Sequence, residues 1–284
     1  MARVLSETTP LSDYEYKLIS GLIYEKFGIN LSEQKKSLIV GRLQKVLREN
    51  GCSSFRNYYN YVTSDATGQA LDMLINRIST NHTFFYREND HFEFLLETVL
   101  PAIRSLLKQS GRTDLRIWCA GCSSGEEAYT LAIIVLEFFG RELSFWDTGI
   151  LATDISKRVL EKAMAGIYSD ENTSHIPSGL KHKYFKRQAD GSWMVQDRVK
   201  EMILFRRFNL TRDDFPFKGQ FQVIFCRNVM IYFDITTRNK LVNQFFCFTE
   251  PGGYLFVGHS ESLGRRDCPY CYVKPSIYRK ELVT

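Results

Sequence analysis

The hydrophobic period of this chain changes once, near Gln109-Ser110-Gly111, and that change limits the fold more than any other feature. Beyond it, strand-length apolar runs at residues 115–119, 149–153, 223–226 and 254–257 alternate with helical segments at 126–139, 156–165 and 236–248. Parallel strands cannot be joined by a tight turn, so this alternation predicts an α/β domain: a parallel sheet with crossover helices. Before the change the spacing is helical. Leu18, Leu22, Ile23 and Phe27 follow a start at Leu11-Ser12-Asp13, and Gly28 stops that helix. Leu31-Ser32 caps a second helix that runs to Asn50-Gly51, and Ser53-Ser54 opens a third with Phe55, Tyr58, Tyr59 and Val62 on one side. Leu71, Leu74, Ile75 and Ile78 mark a fourth, and a fifth, long helix runs from Glu88 to about Lys108. Two short alternating segments between Trp193 and Phe208, with Asp190-Gly191 as a turn, predict a small antiparallel insert. The expected domains are therefore a helical one over 1–87, a linker helix over 88–110, and an α/β domain over 111–284 with its insert at about 170–208.

A hydrophobic content of 44% over 284 residues allows a large core. No run of about 18 apolar residues exists, so no membrane span is expected. Met1 to Pro10 has no apolar signal-peptide run and reads as a short tail, which predicts a cytoplasmic protein with reduced thiols. Two of the seven cysteines' spacings are C-x-x-C: Cys119 with Cys122, and Cys268 with Cys271. Such pairs can bind zinc or act as redox dithiols. Here Cys119 ends an apolar run, Cys122 sits in a glycine loop, and no strand-to-helix context follows Cys268, so no metal is expected. The net charge of +5 is mild, and the basic residues do not interleave with exposed aromatics, which argues against nucleic acid.

Three segments carry chemistry. The first, Ile117-Trp118-Cys119-Ala120-Gly121-Cys122-Ser123-Ser124-Gly125-Glu126-Glu127, is a strand, a small-residue loop and a helix start. It is neither G-x-G-x-x-G nor a loop ending in Gly-Lys-Ser/Thr. Glu126 and Glu127 at the helix N-terminus would repel a phosphate and suit a cationic ligand such as S-adenosylmethionine, with its sulfonium and ammonium groups. Taken alone, the loop also reads as a plain helix start with acidic first-turn residues. The second segment puts Asp154 at a strand tip, where a carboxylate can accept both hydroxyls of a ribose; the alternative is that Asp154 or Ser156 only caps the next helix. The third, Cys226-Arg227-Asn228-Val229-Met230-Ile231-Tyr232-Phe233, places Arg227 and Asn228 at another strand tip, where they are costly to bury without partners.

Together with Thr80-Asn81-His82-Thr83-Phe84-Phe85-Tyr86-Arg87-Glu88 and Gly258-His259-Ser260-Glu261, these segments make the chain resemble the chemotaxis receptor methyltransferase family (CheR) over nearly its whole length. The resemblance implies a Rossmann-like S-adenosylmethionine-dependent methyltransferase domain, an N-terminal helical domain and a small antiparallel subdomain. It implies methyl transfer to glutamate side chains of methyl-accepting chemotaxis receptors, yielding methyl esters and S-adenosylhomocysteine. By the same resemblance, Asn81, Thr83, Arg87, Gly121, Glu127, Asp154, Asn209, Leu210, Arg227 and Asn228 contact the cofactor or line its pocket, and Arg87 and Tyr232 stand near the transferred methyl group. Lys35, Arg42, Lys45 and Arg48, on the basic face of the second helix, are expected to meet the acidic coiled-coil region of the receptor, although such faces are often only solvated. Some family members capture a receptor tail peptide on the antiparallel subdomain through a longer, glycine-rich loop. The short turn Gln188-Ala189-Asp190-Gly191-Ser192 predicts tail independence here. A monomer is expected. A nucleic-acid methyltransferase and a non-catalytic cofactor-binding module are the competing readings.

Overall fold

The computed structural model describes residues 9–264 and 268–282. Most of the expected N-terminal tail (1–8), residues 265–267 and residues 283–284 lie outside the described residues. The chain divides into two compact units, Met1–Thr80 with Tyr232–Asp234, and Asn81–Ile231 with Ile235–Thr284.

The first unit is helical: α1 (Asp13–Phe27), α2 (Lys36–Glu49), α3 (Phe55–Ser64) and α4 (Gln69–Ile78). Ser12 starts α1 with a full capping box. Its hydroxyl accepts from the Glu15 amide, and the Glu15 carboxylate accepts from the Ser12 amide. Gly28, at φ 66°, ends the helix in the left-handed conformation that glycine adopts without strain. The second helix begins later than Ser32 suggests, because a 3-10 turn over Glu33–Lys35 comes first and the Ser32 side chain makes no capping bond. Ile39, Leu43, Val46 and Leu47 of α2 are buried, as the helical spacing requires.

The second unit opens with α5 (Asn89–Phe94), a π turn (Leu95–Val99) and α6 (Leu100–Gln109), all in one helical run. The long helix expected from Glu88 thus starts at Asn89, since Glu88 itself sits at φ 55°. Its interior is not regular. Pro101, in the first turn of α6, has no N–H for the ladder, and the π turn lies just before it. There follow β1 (Asp114–Ala120), α7 (Glu126–Phe139), β2 (Asp147–Asp154), α8 (Lys157–Ala165), β3 (Ile167–Tyr168), α9 (Ser178–Tyr184), β4 (Phe185–Arg187), β5 (Trp193–Val195), α10 (Asp197–Lys200), β6 (Ile203–Arg207), β7 (Phe221–Cys226), α11 (Ile235–Phe248), β8 (Thr249–Val257), β9 (Cys271–Lys274) and β10 (Ile277–Arg279).

The main sheet has the order β6-β2-β1-β7-β8-β10-β9. Strands β6, β2, β1, β7 and β8 are parallel, and β10 and β9 add to one side as an antiparallel hairpin. A separate three-stranded antiparallel sheet has the order β3-β5-β4. One detail differs from expectation. Of the two alternating segments assigned to the insert, only Trp193–Val195 belongs to it; Ile203–Arg207 is the parallel edge strand of the main sheet, paired with β2. Alternation marks a strand with one open face, and an edge strand of a parallel sheet meets that description as well as a hairpin does.

Successive strands run outward from β1 on one side through β2 and β6, and on the other through β7 and β8. The reversal falls between β1 and β7, and ligands of open α/β sheets bind outside the strand C-termini at such a point. Two aromatic groups hold the sheet there. On one face Phe92 stacks on Phe225, which stacks on Phe256 at a centroid distance of 4.3 Å. The buried Trp118 packs among Phe208, Phe215, Phe217, Phe221 and Phe245. Its indole N–H donates to Thr153 Oγ1 at 2.9 Å, tying β1 to the tip of β2. Thr153→Val keeps the volume and removes that acceptor. Denaturant unfolding should show a loss of about 1–3 kcal/mol, the scale for stranding one buried donor; an unchanged midpoint would mean the bond contributes nothing net.

Candidate functional site

The loop after β1 is folded onto the tip of β2. The amides of Gly121 and Cys122 both donate to the Thr153 carbonyl, at 2.7 and 2.8 Å. The Ser123 amide donates to Asp154 Oδ2 at 2.9 Å, and the Ser156 amide to Oδ1 at 2.9 Å. A carboxylate has about four lone-pair sites, so Asp154 keeps acceptor capacity beyond these bonds, the requirement for holding a hydroxyl-bearing ligand. Helix capping falls to Ser156, whose hydroxyl accepts from Val159, so Asp154 is not that helix's cap. Burial pushes the Asp154 carboxyl above its usual pKa, and its backbone hydrogen bonds oppose that push. Gly125, at φ 98°, admits no side chain: a Cβ there would meet Ala163 Cβ at 2.9 Å and Tyr168 Oη at 3.0 Å. The Ser123 hydroxyl reaches the Asn81 carbonyl at 3.4 Å, which brings the Asn81–Arg87 segment to the loop.

Arg227, at the tip of β7, has a side chain with no exposed surface. It donates to Glu127 Oε2 at 2.9 Å, to Glu88 Oε2 at 2.9 Å, and to the Arg87 carbonyl. It also lies over the Phe92 ring, 5.1 Å from its centroid. Glu127 accepts from the Cys119 thiol through its other oxygen, at 3.2 Å. Burial pushes the Glu88 carboxyl up, but the Arg227 guanidinium outweighs it and holds Glu88 below the usual carboxylate range. Two carboxylates against one guanidinium leave a net negative charge beside the glycine loop. The neighbouring Glu126 differs: it is buried, accepts from Ser124 Oγ at 2.8 Å, and is raised by burial.

Asn228, at φ 58°, directs its side-chain amide to Glu88 Oε1 at 3.3 Å. Its backbone is fixed by Glu261, whose buried carboxylate accepts from the amides of Asn228 (2.8 Å), Gly258 (2.6 Å) and Ile231 (3.2 Å). Glu88 and Glu261 are the residues to which sequence reasoning gave no role. The signal for Glu261 was present, since it follows the apolar run 254–257 as Asp154 follows its own strand. Nothing local announces Glu88, whose partner lies 139 positions away.

The remaining expected residues are placed as follows. Thr83 is half-buried in the segment from Asn81 to Arg87. The Arg87 guanidinium donates to the His82 carbonyl at 2.8 Å and lies over the Phe84 ring. Among the described residues, no ion pair with its chain neighbours holds it, because Glu88 pairs with Arg227 and Asp90 with His259. Asn209, just past β6, accepts from the amide and hydroxyl of Thr211, and Leu210 is buried. Tyr232 groups with the helical unit, where its carbonyl accepts from the Asn30 amide and its ring lies 5.7 Å from Lys35 Nζ. On α2, Lys45 and Arg48 are exposed, with Lys45 3.6 Å from Glu49. Arg42 is half-buried and donates to the Ile78 carbonyl and to Thr80 Oγ1. No helix among the described residues is long and apolar enough to cross a membrane.

Comparison with known proteins agrees with this geometry. Residues 81–275 match the family model "CheR methyltransferase, SAM binding domain", and residues 14–79 match "CheR methyltransferase, all-alpha domain". The chain is 42% identical over 260 residues to the chemotaxis protein methyltransferase of Borreliella burgdorferi, covering 91% of each chain. It is 40% identical over 243 residues to a probable chemotaxis protein methyltransferase of Rhizobium etli, covering 84% of this chain and 89% of that one. It is 33% identical over 277 residues to the chemotaxis protein methyltransferase of Escherichia coli, covering 96% and 93%. With both domains matched in order and an acid-rimmed glycine loop at the switch point of the sheet, the chain belongs to the CheR family of S-adenosylmethionine-dependent methyltransferases.

Proposed function

We propose that this enzyme methylates glutamate side chains on the cytoplasmic coiled-coil region of methyl-accepting chemotaxis receptors, working as a cytoplasmic monomer. The contact that most supports the cofactor site is the one from the Ser123 amide to Asp154, because it closes the glycine loop onto a carboxylate that still has acceptors to spare. The donor set also fits the cofactor: Asp154 for a diol, and Glu127 with Glu88 for positive charge. Asn81, Thr83, Gly121, Asn209, Leu210, Arg227 and Asn228 complete the pocket in this reading. Bound there, S-adenosylmethionine supplies an electrophilic methyl group on a sulfonium.

The chain's own residues have a modest chemical task. A glutamate carboxylate has a pKa of about 4.3 and is already a nucleophile near neutral pH, so the enzyme needs no general base. It must align carboxylate and methyl and exclude water, because two opposite charges vanish in the reaction and a dry site favours that. Arg87 is assigned to orienting the substrate carboxylate through its planar guanidinium. Its bond to the His82 carbonyl limits its wandering and leaves further N–H groups to donate. Arg227 acts differently, since its guanidinium is occupied by Glu88 and Glu127; it positions Glu127. Tyr232 is assigned to the methyl step through the family resemblance.

Receptor docking is assigned to the basic face of α2. Arg42 serves the helical unit's own structure, and Lys35 lies by Tyr232, so Lys45 and Arg48 are the residues best placed to meet an acidic partner. The turn between β4 and β5 is closed by Gln188 donating to the Ser192 carbonyl and Gly191 to the Gln188 carbonyl. Asp190 further accepts from the Ser192 amide and hydroxyl. A turn satisfied internally in this way offers little to a tail peptide, which supports tail independence.

Three outcomes are expected. Asp154→Ala should weaken binding of S-adenosylmethionine and S-adenosylhomocysteine by about 1–3 kcal/mol; calorimetry showing equal affinity would remove the ribose role. Arg87→Ala should lower turnover far more than cofactor affinity, and a proportional loss of both would make it a cofactor ligand only. Methylation, read as base-labile methyl ester on receptor-containing membranes, should be equal with and without the receptor's terminal peptide, should weaken with salt, and should fall in a Lys45→Ala/Arg48→Ala double variant whose cofactor affinity is intact. Tight binding of an isolated tail peptide, or full activity of the double variant, would overturn the docking assignment.

A further inference from the structure

His91 lies wholly buried in α5, and neither of its ring nitrogens has a hydrogen-bond partner among the described residues. A buried polar group is nearly always satisfied, and leaving one unmade costs about 1–3 kcal/mol. An orphaned imidazole in such a place needs an explanation. Its surroundings supply one. One ligand atom each from Glu88, His91 and His259 lies within 4.8 Å of the others. Glu88 is mostly buried, whereas His259, just past β8, is about half exposed. Asp90 stands 3.1 Å from His259 Nε2, as a carboxylate does when it orients a metal-binding histidine. The His91 and His259 rings meet edge to face at 4.7 Å.

From this geometry we infer that Glu88, His91 and His259 form a binding site for one divalent cation of the zinc class, with Asp90 behind His259. Two imidazoles and a carboxylate are a donor set that borderline cations prefer, and an open fourth position suits water. Zinc–ligand bonds of about 2.0–2.2 Å in a tetrahedron put donor atoms roughly 3.3 Å apart, so the cluster must contract. The half-exposed His259 ring is the member free to swing, while His91 is fixed by packing against Phe256. Electrostatics permit it: Glu88 and Glu127 share one guanidinium, Arg227, and Asp90 adds a third carboxylate beside His259. Arg227 also competes for Glu88, which keeps the affinity moderate and the binding reversible. No step of methyl transfer passes through this site. Sequence spacing gives no sign of it, because the donors come from both ends of the domain and none belongs to a C-x-x-C pair.

Calorimetry of the full chain with zinc chloride, without cofactor, tests it. One equivalent of zinc should bind. His259→Ala, at a half-exposed position, should abolish that binding, and Asp90→Asn, which leaves all three donors in place, should weaken it about tenfold. Cobalt substituted for zinc should show ligand-field bands without the thiolate charge-transfer absorption that cysteine ligation would give. Absence of zinc binding, zinc affinity unchanged in both variants, or a thiolate band placing the cation on surface cysteines would each overturn the inference.

Discussion

Arg227 is the pin of the catalytic unit. Its guanidinium is fully removed from solvent and must be neutralised where it stands, because an uncompensated buried charge costs several kcal/mol. The partners it draws in come from three separate parts of the chain: Glu88 ahead of α5, Glu127 in the first turn of α7, and the backbone at Arg87. Removing the guanidinium would leave both carboxylates without their counter-charge, at a cost of about 3–5 kcal/mol for a broken buried pair. Such a network contributes less to net stability than to geometry. It fixes how the Asn81–Arg87 segment, the glycine loop and the tip of β7 sit around the switch point of the sheet.

The charge pattern follows from that pin. A helix N-terminus ordinarily attracts anions. Here Glu127 occupies the position, is held by Arg227, and shares the guanidinium with Glu88, so the local balance is negative. Asp154 adds a carboxylate held by backbone amides, Ser123 on one oxygen and Ser156 on the other. Glu261 performs the same anchoring on the far side, where three amides converge on one buried carboxylate and hold the Asn228 loop in its left-handed turn. Carboxylates thus build this region twice over, some as ligands for backbone amides and some as counter-charges to Arg227.

Much of this was legible in the sequence. Helical spacing in the first hundred residues and the strand-helix alternation after Gly111 are local patterns, set by which side chains can face a core. The glycine loop and Asp154 were readable for the same reason: a strand tip followed by small or acidic residues is a short-range signal. The assignment of Ile203–Arg207 to the insert failed because alternation reports one buried face and says nothing of which sheet provides it. The long helical run beyond Glu88 was readable from its apolar spacing, whereas the π turn over Leu95–Val99 inside it was not.

What the sequence by itself determined was the fold class, the two domains in order, and the residues at the strand tips. What only the tertiary structure decided was which charges meet. Glu88 stands next to Arg87 in the chain yet pairs with Arg227, and Arg42, one of a row of basic residues on α2, turns to the Ile78 carbonyl while Lys45 and Arg48 stay exposed. His91 and Glu261 became visible only as buried polar groups, one without a hydrogen bond to its ring nitrogens and one accepting three. The physical reason is range: hydrophobic periodicity is written in neighbouring residues, whereas the neutralisation of a buried charge depends on groups that the fold brings together from more than a hundred positions apart.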